Sequence, residues 1–128
     1  MRARATQRRS AVKTEWKAQV LQIFFGERDK WKNKPLHQAL IERCISLQIA
    51  GATVFRGTEG YGASSTVHRS SLWSFSQDAP MMMTVVDTPE KIEQLVPKLR
   101  EMVSEGLIVC SAAQASRYLR DAGPAAGR

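Results

Sequence analysis

The sequence predicts a single α+β domain, and three observations predict it. The 128-residue length fits one ordinary domain and leaves no room for two. Hydrophobic residues make up 43% of the chain and charged residues 24%, which is typical of a globular protein. The stretches that favour strands and helices follow one another as strand, helix, strand, strand, helix and strand. A chain of this size needs neither a disulfide nor a metal ion to fold.

The first half of the chain predicts a strand, a helix and a second strand. Residues 52–56 are rich in β-forming side chains and predict the second strand. Pro35 fits the first position of a helix, where its missing N–H is not needed. The amphipathic helix is predicted over residues 35–48, and the first strand over residues 17–25. The apolar residues that indicate them are Leu36, Leu40, Cys44 and Leu47 for the helix, and Val20, Leu21, Ile23, Phe24 and Phe25 for the strand.

The second half begins with a predicted third strand at residues 81–87. Asp87 or Thr88 can cap the helix that follows, with Pro89 in its first turn and Glu90 as a capping-box partner for Asp87. The helical stripe consists of Ile92, Leu95, Leu99 and Met102.

The last strand is predicted at residues 107–110. Gly106 fits the position just past the end of the second helix, and residues 112–128 predict a short helix or a frayed tail. The order βαββαβ is that of the ferredoxin-like sandwich, in which two helices cover one face of an antiparallel four-stranded sheet. We therefore expect this fold.

The basic residues are concentrated in the two tails of the chain. Residues 1–13 hold five cations and no acid, residues 14–116 hold eleven of each, and residues 117–128 have a net charge of +2. We expect residues 1–14 to be a disordered basic tail, residues 15–112 to be the domain, and residues 113–128 to be a tail or short helix. Because the domain itself is neutral, no specific nucleic-acid binding is expected of it.

The third and fourth strands predict an interface. Residues 81–86 read MMMTVV and residues 107–110 read LIVC, so both faces of these strands are apolar. Two helices on one face of the sheet leave the other face uncovered, and an exposed apolar face of this kind usually marks a contact surface. The simplest cover is another copy of the same chain.

Residues 57–65, which we call the glycine–serine loop, are the most distinctive segment. Glycine allows backbone N–H groups to approach an anion, and serine adds further donors. A flexible hairpin connection accounts for the same composition equally well. The loop contains neither the phosphate-loop nor the dinucleotide fingerprint.

The remaining candidates for chemistry are sparse. The two histidines, His37 and His68, have no partner at triad or metal-ligand spacing, so we expect no enzymatic activity and no metal site. Cys44 and Cys110 lie in apolar runs, which indicates reduced thiols and a cytoplasmic protein. No apolar stretch is long enough to insert into a membrane.

Three motifs resemble a known family. They are GERDKWKNKPL at residues 26–36, AGATVFRGTEGYG at residues 50–62 and VDTPEKI at residues 86–92. Together they resemble the uncharacterised family called domain of unknown function 190, a branch of the PII-like signalling superfamily, which includes the nitrogen regulatory proteins. The resemblance spans about residues 17–112.

The resemblance implies a homotrimer packed through its sheets, with a mobile loop after the second strand that contacts a partner such as a membrane transporter or channel. It also implies an adenine nucleotide or another small anion as ligand in the clefts between subunits. Residues 111–114 are uncharged where PII proteins carry basic residues that bind a triphosphate, so a nucleoside monophosphate or a cyclic nucleotide fits better than ATP. An interaction module without any ligand is the alternative. The candidate ligand-binding residues are Trp31, Arg56, Gly57, Gly60, Tyr61, Gly62, Ser64, Ser65, His68 and Arg69.

Overall fold

A computed structural model of the chain describes residues 11–62, 68–69 and 78–120. The predicted order βαββαβ is confirmed by β1, α1, β4, β7, α2 and β8, between which short strand pairs are inserted. The elements are β1 (Ala11–Gly26), β2 (Lys30–Trp31), β3 (Lys34–Pro35), α1 (Leu36–Ser46), β4 (Gly51–Arg56), β5 (Glu59–Gly60), β6 (His68–Arg69), β7 (Pro80–Asp87), α2 (Pro89–Met102) and β8 (Leu107–Arg120).

The main sheet has four antiparallel strands in the order β4-β7-β1-β8. Alternate residues of the two central strands point toward the helices, as the period of two in a strand requires. Leu21 and Ile23 of β1 and Met83 and Val85 of β7 are completely buried there. Both helices pack on this face, which confirms the ferredoxin-like sandwich.

Each helix buries the apolar stripe that its sequence predicts. In α1 the buried residues recur at helical spacing, and so do those of α2. Burial of such a stripe, rather than helix propensity, supplies most of a helix's stability in a protein. The buried residues are Leu36, Ala39, Leu40 and Cys44 in α1, and Ile92, Leu95, Leu99 and Met102 in α2.

Thr88 caps α2 and Asp87 has a different role. The Thr88 hydroxyl accepts a hydrogen bond from the Lys91 N–H (3.2 Å), with Pro89 at the helix start. The Asp87 carboxylate, which is 7% exposed, accepts from the N–H of Thr88 (2.6 Å) and of Ala50 (2.8 Å). It therefore links the segment before β4 to the end of β7, and Thr88 rather than Asp87 provides the cap.

Gly106 is required by close packing. It lies four residues beyond Met102, where α2 ends, so it is not the helix-terminating residue that the sequence indicated. A Cβ atom at this position would collide with the backbone carbonyl oxygen of Phe24. Glycine thus allows the connection from α2 into β8 to cross directly beside β1.

The first and last strands are much longer than predicted. Residues 11–14, expected in a disordered tail, belong to β1, and residues 112–120, expected as a short helix or tail, belong to β8. The two strands pair from Ala11↔Arg120 to Phe24↔Leu107. None of the described side chains at positions 13–14 and 112–120 is buried, so the hydrophobic pattern did not indicate these parts. They form through backbone pairing between distant segments. Residues 1–10 and 121–128 lie outside the described residues.

The sheet face opposite the helices, which we call the open face, is apolar. Phe24 and Phe55 are 38% and 49% exposed there, and Leu107 and Val109 are 58% and 37% exposed. Within the described residues nothing covers them, because both helices lie on the other side. The two-faced apolar strands predicted from the sequence are therefore present, and the copy expected to cover them remains a prediction.

Candidate ligand groove

A groove of about 690 Å³ lies at one end of the sheet. It is formed where β1 ends, β7 and β8 begin, and the glycine–serine loop leaves β5. Its lining residues are Phe24, Phe25, Gly26, Asp29, Tyr61, Gly62, Asp78, Ala79, Pro80, Met81, Glu105, Gly106 and Leu107.

The turn after β1 forms one wall of the groove and is held rigidly. The Asp29 carboxylate accepts a hydrogen bond from the Gly26 N–H (3.0 Å), and the Asp29 N–H donates to the Gly26 carbonyl (3.1 Å). The Glu27 N–H donates to the Ala79 carbonyl (2.9 Å), which ties this turn to the start of β7. The wall is therefore preformed by local backbone hydrogen bonds.

The base of the glycine–serine loop forms the opposite wall. The Gly57 N–H donates to the Pro80 carbonyl (2.7 Å), and a Cβ atom on Gly57 would lie 3.0 Å from the Pro80 ring. Gly60 then pairs with His68 in a short antiparallel ladder. The loop consequently starts as a hairpin, and Tyr61, which is 72% exposed, follows at the rim of the groove.

The groove is acidic in the part that the structure describes. Its charged lining side chains there are the carboxylates of Asp29, Asp78 and Glu105, without a lysine, arginine or histidine among them. Arg56, one of the candidate ligand-binding residues, contacts both carboxylate oxygens of Glu27 at 3.2 Å. Carboxylates repel phosphate oxygens at short range, so the groove itself does not favour a triphosphate.

Trp31, another candidate ligand-binding residue, contacts two cationic side chains. Its ring lies 4.6 Å from the Lys32 ammonium and 5.8 Å from the Arg43 guanidinium, and it packs against the core near α1. These cation–π contacts occupy the ring. Trp31 is not among the residues that line the groove, although Gly26 and Asp29 of the same turn are.

The groove contains only some of the candidate ligand-binding residues predicted from the sequence. Tyr61 and Gly62 line it, whereas Gly57 and Gly60 shape the loop base behind it. Ser64 and Ser65 lie outside the described residues, and His68 and Arg69 are placed only as the backbone of β6.

Sequence reasoning missed the three carboxylates and Gly106. They come from separate segments that no local motif connects, so their proximity could not be inferred from the sequence.

Two further findings concern the described residues alone. They contain no cluster of three or more His, Cys, Asp or Glu side chains that could hold a metal ion. In the same ranges, neither helix has the length and apolar character needed to cross a membrane.

The fold is similar to that of solved PII-like proteins. CPII of Thiomonas intermedia K12, a nitrogen regulatory PII-like protein solved with ADP, AMP and bicarbonate, superposes with a TM-score of 0.60 at 16% identity. The similarity covers 81% of this chain and 92% of CPII. A putative PII-like signaling protein of Thermus thermophilus gives a TM-score of 0.53 at 14% identity, covering 80% of this chain and 91% of that protein. At these identities the similarity shows the fold.

The chain belongs to the family DUF190, described as an uncharacterised ACR, whose model matches residues 18–115. A UPF0166 protein of Methanocaldococcus jannaschii is 32% identical over 94 residues, which cover 73% of this chain and 86% of that protein. A UPF0166 protein of Aquifex aeolicus is 30% identical over 84 residues, which cover 66% of this chain and 80% of that protein. The family resemblance predicted from the three motifs is thereby confirmed.

Proposed function

We propose that this chain is a cytoplasmic, non-enzymatic PII-like regulator that forms a homotrimer through its open face and binds an adenine nucleotide in the groove. Binding would order the glycine–serine loop and change its contact with a partner protein, such as a membrane transporter or channel. The likeness to CPII, which was solved with ADP and AMP, supports the ligand class.

The observation that carries the proposal is the position of the groove at the border of the open face. Phe24 and Leu107 belong to both, since they line the groove and are half-exposed on the uncovered side of the sheet. A second copy that covered the open face would lie beside the groove and add a wall to it. Self-association and ligand binding are therefore coupled through these two side chains.

The chemistry of the groove favours the nucleoside end of the ligand. Ribose hydroxyls and the adenine amino group donate hydrogen bonds, and the carboxylates of Asp29, Asp78 and Glu105 accept them. The exposed ring of Tyr61 at the rim offers a surface on which a base can stack. The phosphates would then point away from the carboxylates, toward the loop.

Titration calorimetry with AMP, ADP, ATP and cyclic AMP tests the ligand. We expect AMP or ADP to bind more tightly than ATP, because each added phosphate increases the negative charge of the ligand, which the acidic groove repels. Glu105→Gln should reduce the difference in affinity between AMP or ADP and ATP. Glu101→Gln, which removes the same charge from an exposed site on α2, should leave that difference unchanged.

Tyr61→Ala should weaken binding about tenfold if a base stacks on the ring, and Tyr118→Ala, which removes an exposed tyrosine outside the groove, should leave it unchanged. Absence of binding heat with all four nucleotides would contradict the ligand part of the proposal.

An interaction module without a ligand is the second candidate. The acidic groove favours it, because no described cation there can balance a phosphate. On this reading the open face and the loop contact proteins only. A Gly60/Gly62 double replacement by alanine should then impair partner binding in the absence of any nucleotide, and added nucleotide should have no effect.

A further inference from the structure

The paired ends of β1 and β8 form a two-stranded ribbon beyond the four-stranded sheet. Strand β7 pairs with β1 only as far as Gln19, whereas β8 continues alongside β1 to Ala11. We call residues 11–18 and 113–120 the ribbon. At about 3.4 Å per residue it is roughly 27 Å long.

The ribbon and residues 1–10 together carry the net charge of the protein. Residues 19–112 carry ten cations and ten acids and are neutral, as are residues 121–128 with one of each. The ribbon has four cations and one acid, and residues 1–10 add four arginines and no acid. Because Ala11 pairs with Arg120, the cations of the two ribbon strands, far apart in sequence, meet at one end of the described structure. The ribbon cations are Lys13, Lys17, Arg117 and Arg120.

These cations are available and are distributed around the ribbon. All four side chains are exposed. The Lys13 ammonium contacts Glu15 (3.0 Å) and lies 5.9 Å from the Tyr118 ring, but surface ion pairs of this kind are weak and leave the long-range field positive. Lys13, Lys17 and Arg120, which pairs with Ala11, lie on one face, and Arg117, which pairs with Thr14, lies on the other.

The presence of cations on both faces of the ribbon favours duplex nucleic acid over a membrane surface. A flat anionic membrane meets one face only, whereas the walls of a nucleic-acid groove present phosphates to both faces of an inserted element. The major groove of B-DNA accommodates a two-stranded β-ribbon. Lys13 and Lys17 also lie on the side of the sheet opposite the open face, so self-association through that face leaves them free.

We propose that the ribbon is a docking surface for the phosphate backbone of duplex nucleic acid, independent of the ligand groove. Because the contacts are to phosphates, binding is insensitive to sequence and depends on counterion release. The neutral remainder of the domain takes no part in it.

Fluorescence anisotropy with a labelled, mixed-sequence DNA duplex of about 20 base pairs tests this, with KCl varied between about 50 and 200 mM. The full chain should bind with an affinity that falls steeply with salt. Lys13→Gln/Lys17→Gln should flatten the slope of log K against log salt by about 1.8, since each phosphate contact contributes about 0.9. The matched control is Lys98→Gln/Arg100→Gln on α2, which removes the same charge and should leave the slope unchanged.

Arg117→Gln/Arg120→Gln, on the other strand of the ribbon, should repeat the effect, and thermal melting verifies that each variant is folded. Equal losses in the ribbon and α2 variants would overturn the proposal, because net charge alone would then explain binding. Binding to phosphatidylglycerol vesicles without binding to the duplex would also overturn it, and would assign the ribbon to a membrane surface.

Discussion

Replacing Phe55 by serine should dissociate the proposed trimer while leaving the subunit folded. Phe55 is 49% exposed on the open face and is not part of the hydrophobic core. With roughly 200 Å² for a phenylalanine side chain, about 100 Å² is available for burial, which corresponds to about 2.5 kcal/mol per subunit at 25 cal/mol per Å². Three subunits would lose up to about 7 kcal/mol of assembly free energy.

Sedimentation equilibrium over a range of concentrations measures this effect. For a monomer–trimer equilibrium the midpoint concentration varies as the square root of the dissociation constant. The loss of assembly free energy should therefore raise the midpoint concentration roughly 300-fold. The matched control is Ile45→Ser on α1, which removes an apolar side chain that is 69% exposed but lies away from the open face. The control should assemble as the unmodified chain does.

Two results would refute the reasoning. If the unmodified chain sediments as a monomer at all concentrations, the open face does not bind a second copy. If Phe55→Ser and Ile45→Ser weaken assembly equally, the contact surface is not the open face. Circular dichroism of both variants should show native secondary structure, since neither side chain is buried.

Three further predictions concern stability and reactivity. Gly106→Ala should lower the free energy of unfolding in urea by about 1 to 3 kcal/mol, because its Cβ collides with a backbone oxygen, whereas Gly51→Ala, with open space around it, should not destabilise the protein. Asp87→Ala should cost about 2 to 4 kcal/mol by chemical denaturation, because two backbone N–H groups lose their acceptor; a smaller loss would mean that water replaces it. Burial raises the pKa of the Cys44 thiol to about 11, so near pH 8 a disulfide reagent should modify exposed Cys110 quickly and Cys44 only on unfolding. The pKa of Cys44 is higher in the folded protein than in the unfolded chain. The contribution of its protonated thiol to stability is therefore intact below about pH 8.5 and is lost as the pH rises through 11. Equal reaction rates of Cys44 and Cys110 in the folded protein would contradict the burial of Cys44.

The amino-acid pattern was sufficient wherever an element buries one face. In α1, Leu36, Leu40 and Cys44 recur with the helical period of 3.6 residues. In β7, the continuous apolar run indicates a strand that is apolar on both faces. Both predicted elements are present. The open face also followed from the sequence, because two helices on one side of a sheet cannot cover strands that are apolar on both sides. These features depend on residues that are only a few positions apart along the chain.

The candidate groove followed from the sequence only in part. Tyr61 and Gly62 were identified from the composition of the loop, but Asp29, Asp78 and Glu105 belong to three separate turns. Trp31 and Arg56 were chosen by residue type, and their contacts with neighbouring charged side chains, which come from α1 and from the turn after β1, place them outside the groove.

By itself, the sequence determined the βαββαβ order, the DUF190 membership and the two-faced apolar strands, because each is written in local pattern or motif. Only the tertiary structure decided the ribbon, in which Ala11 pairs with Arg120 across more than a hundred residues of chain. Backbone hydrogen bonds between distant strands require no hydrophobic pattern, so they leave no local signal. The same pairing joins two basic segments at one end of the molecule, and the turns that meet at the other end form an acidic groove.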